Sequence, residues 1–428
     1  MCHKGEHMKE YQLQRDIICI DLKSFYASVE CVLLDVDPFK TPLVVADASR
    51  GGGSVVLAVS PYLKSLGIPS RCRLRDIPND LHVITRKPQM KTYMTFAKNI
   101  IAVYLKYVSE EDIHIYSIDE VFLDLTEYLG FYQKDVRTLA KTIIDDVMHT
   151  TGIHATCGIG KNMLMAELAL DLEAKKSPDF IAQWTYESIP NHLWTVDRLS
   201  HIWGIGSRME RNLHRLGIKN VYDLAHVNPA ILKHHFGIIG EELYYHANGI
   251  DMSMIQDKKH VMSTRKSYGQ SQVLFRDYTA PDIYIILRET VDEVARRLRL
   301  AKRVAYTITL GIGFSQDIGG GFGRQKTLDQ PTMNASVIYH ACMDIFHTFY
   351  DGEPIRRVHV SVSQLKTVTF TQMSLFDDQA HLDAENQLYE TVDQLKYSFG
   401  KNVINRGSSE LSASTIKARN RMVGGHHE

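Results

Sequence analysis

No run of this chain approaches the ~20 uninterrupted apolar residues that a membrane-spanning helix requires, so the sequence reads as soluble. The opening MCHKGEHMKEYQLQR is polar and lacks the apolar stretch of a secretory signal, which makes the cytoplasm the expected location. Cysteine is sparse, with six residues (Cys2, Cys19, Cys31, Cys72, Cys157, Cys342) scattered singly among 428. Without a CxxC pair, a disulfide framework and a zinc ribbon are both excluded. Net charge is also missing: 49 Lys and Arg balance 50 Asp and Glu to leave −1, so the whole chain gives no sign of a polyanionic partner. The glycines at 51–53 and 319–323 fit neither GxxxxGK[ST] nor GxGxxG after a strand, which excludes a P-loop and a Rossmann site.

What is present is a chain 44% hydrophobic and 23% charged, enough for two to four domains of ordinary size. Its charge is unevenly spread. Residues 258–368 hold 16 Lys and Arg against 10 Asp and Glu, a net of +6, leaving −7 for the remainder. A basic segment beside an acidic one suits a grip on a phosphate backbone next to a carboxylate-rich metal site, although chance asymmetry gives the same count.

The pattern predicts an α/β, multidomain protein. The apolar run Ile-Ile-Cys-Ile (17–20) ends at Asp21 and leads into the helix-like SFYASVECVLL. LVVAD (43–47), SVVLAV (54–59) and PYLKSLG (61–67) form a small α/β insert. A helix over about 88–108 precedes IHIYSIDEVFLDLT, which reads as a hairpin with Asp119 and Glu120 near its apex. A helix at about 133–150, a strand HATCGIG (154–160) and a helix over 162–176 complete a sheet-and-helix unit. Residues 183–250 read as helical with glycine punctuation, and 251–264 as a polar linker. From 265 the order is β-α-β-β-α-β, the ferredoxin-like arrangement, with one sheet face left free. After 369 the chain is a polar tail with one apolar island, QMSLF (372–376), followed by a helix-like stretch.

Asp21, Asp119 and Glu120 stand at separate strand ends that a sheet would bring together. Clustered carboxylates offer the hard oxygen ligands that Mg2+ prefers, and two such ions support in-line displacement at phosphorus; each carboxylate alone is equally a solvated turn residue. Phe25 and Tyr26 follow the first carboxylate, where a ring could lie under a sugar, or belong to the core. Lys64, Lys161, Lys175 and Lys176 could meet a triphosphate, or simply be solvated. WGIG (203–206) with LHRLGI (213–218) has the composition of a helix-hairpin-helix, in which Gly204, Gly206 and Gly217 would let backbone N–H groups approach a DNA phosphate. A glycine-capped turn of an ordinary helical domain is the competing account.

Taken in order, DLKSFYASVE (21–30), YSIDE (116–120), GIG with LGI (204–218) and QMSLF resemble the Y-family, translesion DNA polymerases, most closely the UmuC-like bacterial branch. The resemblance runs from about residue 15 to the end. It implies a right-hand polymerase with palm (10–25 and 85–182), small fingers (26–84), helical thumb (183–250), linker (251–264), little finger (265–368) and a tail (369–428) with a clamp-binding motif. The implied reaction is template-directed transfer of a nucleotide from a dNTP to a primer 3′-hydroxyl, with error-prone bypass of damaged template in an SOS-type repair response. By motif position it assigns two Mg2+ ions to Asp21, the Leu22 carbonyl, Asp119 and Glu120, with Asp21, Asp119 and Glu120 catalytic. Tyr26, packed on Phe25, becomes a steric gate against ribonucleotides; Lys64 and Lys175 become triphosphate ligands, with Lys176 the alternative to Lys175. Gln372, Leu375 and Phe376 become contacts to a bacterial sliding clamp, and activating subunits are possible partners. In this family Pro61 stands where a tyrosine is common, with Tyr62 one step later, and Lys23 replaces an acidic or neutral residue. A catalytically silent DNA-binding subunit and a palm-fold nucleotide cyclase are the rival readings; the first has no need of three carboxylates and the second no need of a helix-hairpin-helix.

Overall fold

The computed structural model describes residues 8–259, 266–367, 379–423 and 426–427. It divides into two compact units, residues 1–262 with 426–428, and residues 263–425.

The first unit is built on a five-stranded sheet in the order β5-β6-β1-β7-β8. Its strands are β1 (Ile17–Leu22), β5 (Ile113–Ile115), β6 (Glu120–Asp124), β7 (Ala155–Gly160) and β8 (Ile181–Gln183). The unbroken apolar run Ile17–Ile20 is buried throughout, as a central strand covered on both faces requires, and β1 pairs antiparallel with both β6 and β7. At the end of β1, Ser24 adopts φ 49 and swings the chain into α1 (Phe25–Leu33), so Asp21 stays at the strand end while Phe25 and Tyr26 open the helix.

Between α1 and the rest of this sheet, β2 (Leu43–Val45), β3 (Ala58–Val59) and β4 (Ile84–Arg86) form a separate sheet in the order β3-β2-β4. The short helix α2 (Pro61–Ser65) starts as its sequence dictates, with Ser60 capping Leu63 N–H and Pro61 in the first turn. Its Leu63 joins Val44, Val56, Val59 and Ile77 in a small core of its own.

Helices α3 (Met90–Tyr104), α4 (Val136–Thr151) and α5 (Met163–Leu172) cover the large sheet. Two glycines fix how closely α5 approaches β7. A Cβ on Gly158 would lie 2.0 Å from the Ala166 carbonyl oxygen, and one on Gly160 2.4 Å from the Ala166 nitrogen. Only glycine fits there. The same core continues through Met165, Leu168 and Trp184 into Leu213, Leu224 and Leu243 of the helical segment α6 (Ser207–Arg215), α7 (Val221–His226), α8 (Pro229–Phe236) and α9 (Ile238–Ala247). Within the segment after α9, expected to be a polar linker, Ile255–Lys259 form a helical turn. Ile255 is buried and the Gln256 side chain donates to Asp112 at 2.6 Å, so a single apolar residue and one amide anchor a stretch whose composition shows no periodicity.

The second unit has the ferredoxin-like order, with β9 (Ser267–Tyr278), α10 (Asp282–Leu300), β10 (Arg303–Phe314), β11 (Gly321–Thr332), α11 (Ala335–Phe349) and β12 (Ile355–Thr367). Its sheet runs β11-β10-β12-β9. Leu287, Val291, Val294, Ala295 and Leu298 of α10 are all fully buried against Ile308, Leu310, Val360 and Val362, the face that their spacing predicts. Part of the expected tail belongs to this unit. Helix α12 (Gln379–Phe399) lies beside α10 through a two-pronged ion pair between Arg299 and Asp393 at 2.7 and 3.1 Å, and Glu385 accepts from Asn334, which caps α11, and from Ser336 of α11. Charged residues that look solvated in sequence are here the glue between helices.

Candidate active site

The antiparallel register of β1 and β6 sets Asp21 directly opposite Glu120. Asp119 precedes Glu120 at the hairpin turn, and the Leu22 N–H donates to its carbonyl at 2.9 Å, extending the ladder by one step. The Asp119 carboxylate accepts from Ser117 Oγ at 2.6 Å. Thr156 Oγ1, on the other neighbour strand, donates to the Asp21 carbonyl at 3.1 Å. Asp21 therefore shares one edge of the β1–β6 pair with two carboxylates 98 and 99 positions later in the sequence.

Lys175 lies against Asp21, its Nζ 2.7 Å from Oδ2, and also 2.6 Å from Asp171 Oδ1. Burial alone would lower its pKa, yet Asp21 and Asp171 together hold Lys175 well above the ordinary lysine value. Burial pushes Asp21 up, Lys175 opposes that, and Asp119 and Glu120 add their repulsion to it. Of the Lys175–Lys176 pair it is Lys175 that reaches the carboxylates. Loss of solvent pushes Lys64 down despite the pull of Asp21, with Lys175 adding to the depression, which puts Lys64 within electrostatic reach of the same group. Lys23, beside Asp21 in sequence, behaves alike: burial depresses it, and its ammonium stands 4.1 Å over the Phe180 ring. Lys161 lies elsewhere, paired with Asp16 at 2.9 Å.

Phe25 is buried and Tyr26 half-buried, with ring centroids 5.7 Å apart and tilted. The closer partner of Tyr26 is Tyr93 of α3, stacked at 4.6 Å and 21°. Burial raises the Tyr26 phenol, with Asp119 adding to it. Tyr93 donates to Glu30 at 2.7 Å, and the buried Glu30 also accepts from Arg86 and Gln89. Sequence reasoning missed this platform, since Glu30, Arg86, Gln89 and Tyr93 come from three separate elements with no motif to join them.

Beneath the sheet, Cys19 Sγ lies 3.5 Å from Glu120 and 3.1 Å from Glu167. Among the described residues these three bring one ligand atom each within 4.8 Å of one another, whereas at the strand edge Asp21 pairs with Lys175, Asp119 accepts from Ser117 and Glu120 accepts from Cys19. Burial lifts the Cys19 thiol well above its ordinary range, with Glu167 and Glu120 adding to it, and lifts Glu167 to about 8. Cys19 would bring a soft sulfur, whereas the donor set at the strand edge is all hard oxygen, with an ammonium already seated on Asp21, and suits a hard divalent cation.

In the helical segment, Gly204 and Gly217 adopt φ +85 and +82, and Gly206 caps α6 in extended conformation. A Cβ on any of the three would meet nothing within 4 Å, so their backbones face open space. Trp203 touches Tyr116 of the YSIDE turn, with centroids 6.1 Å apart. Gln372, Leu375 and Phe376 lie outside the described residues.

Family patterns match along this architecture: the impB/mucB/samB family over residues 20–171, its C-terminal domain over 265–375, and a DNA polymerase-iota thumb domain over 200–251. The chain is 42% identical over 416 residues to a putative UV-damage repair protein, UvrX, of Bacillus subtilis, covering 96% of this chain and 98% of that one. It is 32% identical to DNA polymerase IV 2 of the same organism, covering 97% and 99%. Among solved structures, a Y-family DNA polymerase chimera superposes with TM-score 0.63 at 21% identity, covering 82% of this chain and 99% of the other, a likeness of fold. No helix among the described residues is long and apolar enough to cross a membrane. With the carboxylate edge, the helical segment and the ferredoxin-like unit in this order, the chain belongs to the impB/mucB/samB family, the Y family of translesion DNA polymerases.

Proposed function

We propose that this DNA polymerase catalyses primer extension at the edge formed by Asp21, Asp119 and Glu120, in a palm spanning residues 10–25 and 85–182. The juxtaposition of Asp21 and Glu120 across β1 and β6, with Asp119 one residue away, is the observation that carries the reading. Asp21, Asp119, Glu120 and the Leu22 carbonyl would hold two Mg2+ ions. Bound there, the ions supply activation of the primer hydroxyl and charge stabilisation of the leaving pyrophosphate. Lys175 and Lys64 bring positive charge to the same edge and orient the triphosphate. Tyr26, fixed by Tyr93 and Phe25, closes the space next to a 2′-hydroxyl.

Residues 26–84 act as fingers; their own core is small, and a small fingers domain checks base-pair geometry weakly, which favours bypass of damaged template at the cost of fidelity. Residues 183–250 act as the thumb, with Gly204, Gly206 and Gly217 presenting backbone to DNA phosphates. The basic segment 265–368 acts as the little finger. Gln372, Leu375 and Phe376 tether the enzyme to a sliding clamp, raising its effective concentration at the primer end. The setting is cytoplasmic, damage-induced repair, with activating subunits as further candidate partners.

The test is primer extension on undamaged and abasic templates with Mg2+ and dNTPs. Template-dependent addition that Asp119→Ala abolishes supports the site, and extension past the abasic position supports bypass. DNA binding without extension by the parent enzyme, with clamp supplied, would favour an accessory subunit.

A further inference from the structure

We propose that the second unit carries a half-open binding pocket for a small organic anion, lying between α10, α12 and the segment 401–420, remote in sequence from the catalytic carboxylates. The cavity measures about 220 Å3. It has an apolar wall supplied by Leu388, Val392, Ile404 and Ile416, and an otherwise charged lining.

The charges are unequally committed. Every acidic group of the lining already has a donor within the protein: Asp292 takes Arg406 at 2.6 and 3.0 Å, Glu293 takes Arg296 at 2.8 and 3.0 Å, Asp393 takes Arg299, and Glu289 accepts from Ser414 and Thr415. The donors are not exhausted. The Arg299 side chain is only 8% exposed, and its Nη1 is buried with no hydrogen-bond partner among the described residues. The Lys396 ammonium has no ion pair or hydrogen bond among the described residues, although Asp292 and Asp393 both lie in its field. Burial depresses its pKa, the response of an ammonium short of solvent and of a direct partner. Asn405 adds a buried carbonyl oxygen that is also without a donor.

Buried donors and acceptors left unmade are costly, and each unpaired group in a native structure calls for a partner. Here the missing partner accepts from Arg299 and Lys396, donates to Asn405, and lays an apolar body on Val392 and Ile404. A carboxylate or phosphate on a small ring or chain, with one hydroxyl, meets all three conditions. The acidic lining does not repel it, because each carboxylate is neutralised by its own arginine or held by hydroxyl and amide donors.

The experiment is calorimetric titration of the full chain, without DNA or dNTP, using 4-hydroxybenzoate and phenyl phosphate as probes and uncharged 4-hydroxybenzyl alcohol as the shape control. At least one anion should bind one to one, about tenfold or more tighter than the alcohol, and the better of the two identifies carboxylate or phosphate as the preferred head. Lys396→Gln should weaken that binding about tenfold, and Val392→Trp, which fills the apolar wall, should remove it, both leaving primer extension unchanged. Absence of anion binding, equal binding of the alcohol, or anion binding indifferent to Lys396→Gln would each overturn the proposal. Lys396→Gln leaves the Arg299–Asp393 pair intact, so its result stands even where Val392→Trp destabilises the fold.

Discussion

The Tyr26 ring lies face to face with Tyr93, centroids 4.6 Å apart, and Tyr93 is itself pinned by its hydroxyl to the buried Glu30. Tyr26, the proposed gate, is therefore held through a residue 67 positions away on another helix. Tyr93→Leu should leave dNTP addition near the parent rate while ribonucleotide incorporation rises, approaching that of Tyr26→Ala. Single-nucleotide incorporation with matched dNTP and NTP measures the ratio; unchanged discrimination in Tyr26→Ala would remove the gate assignment altogether.

Tyr93→Phe isolates the hydroxyl. It keeps the stacked ring but takes one donor from a carboxylate that is fully buried, which costs about 1–3 kcal/mol of stability. Urea unfolding should register that loss, with nucleotide discrimination almost unaltered.

Lys175 neutralises Asp21 across 2.7 Å, so Lys175→Ala should act twice. It removes positive charge from the proposed triphosphate path, raising the dNTP KM, and it leaves Asp21 more strongly raised by burial. The pH at which activity is lost on acidification should then move upward. A pH profile identical to the parent would mean that the ion pair does not govern Asp21.

Glu167 gives a stability signature of the opposite kind from a salt-bridged acid. Its folded pKa of about 8 lies above the ordinary 4.5, so the folded state holds a proton that the unfolded chain releases between those values. Stability is fully present below about 4.5 and falls as pH rises through 8. Relative to Glu167→Gln, the parent should lose a few kcal/mol between pH 5 and pH 9 in urea unfolding. A difference that stays flat over that range would show that Glu167 is ionised in the fold.

Gly158→Ala tests the helix–strand contact behind the site. Its Cβ would stand 2.0 Å from the Ala166 carbonyl oxygen, forcing α5 away from β7. The expected loss is about 3 kcal/mol or more, with reduced activity because α5 carries Glu167 and leads to Lys175. Thermal unfolding of the variant beside a surface Gly130→Ala control, where a Cβ meets nothing within 4 Å, separates packing from backbone effects.

The sequence alone determined which residue types stand at strand ends, that a ferredoxin-like unit follows residue 265, and where α10 turns its apolar face. These are local: a strand or helix writes its period into neighbouring residues, and DLKSFYASVE and YSIDE are each contiguous. The tertiary structure decided what depends on residues far apart in the chain. Lys175 rather than Lys176 meets Asp21 because the chain turns after α5. Tyr93 supports Tyr26 because α3 crosses α1. Ile255 anchors a stretch without periodicity, and α12 docks through Arg299 and Asp393, since one buried side chain or one paired charge leaves no pattern in composition. Periodicity reports which face of an element is apolar, whereas partnership across the fold is fixed only when the elements pack.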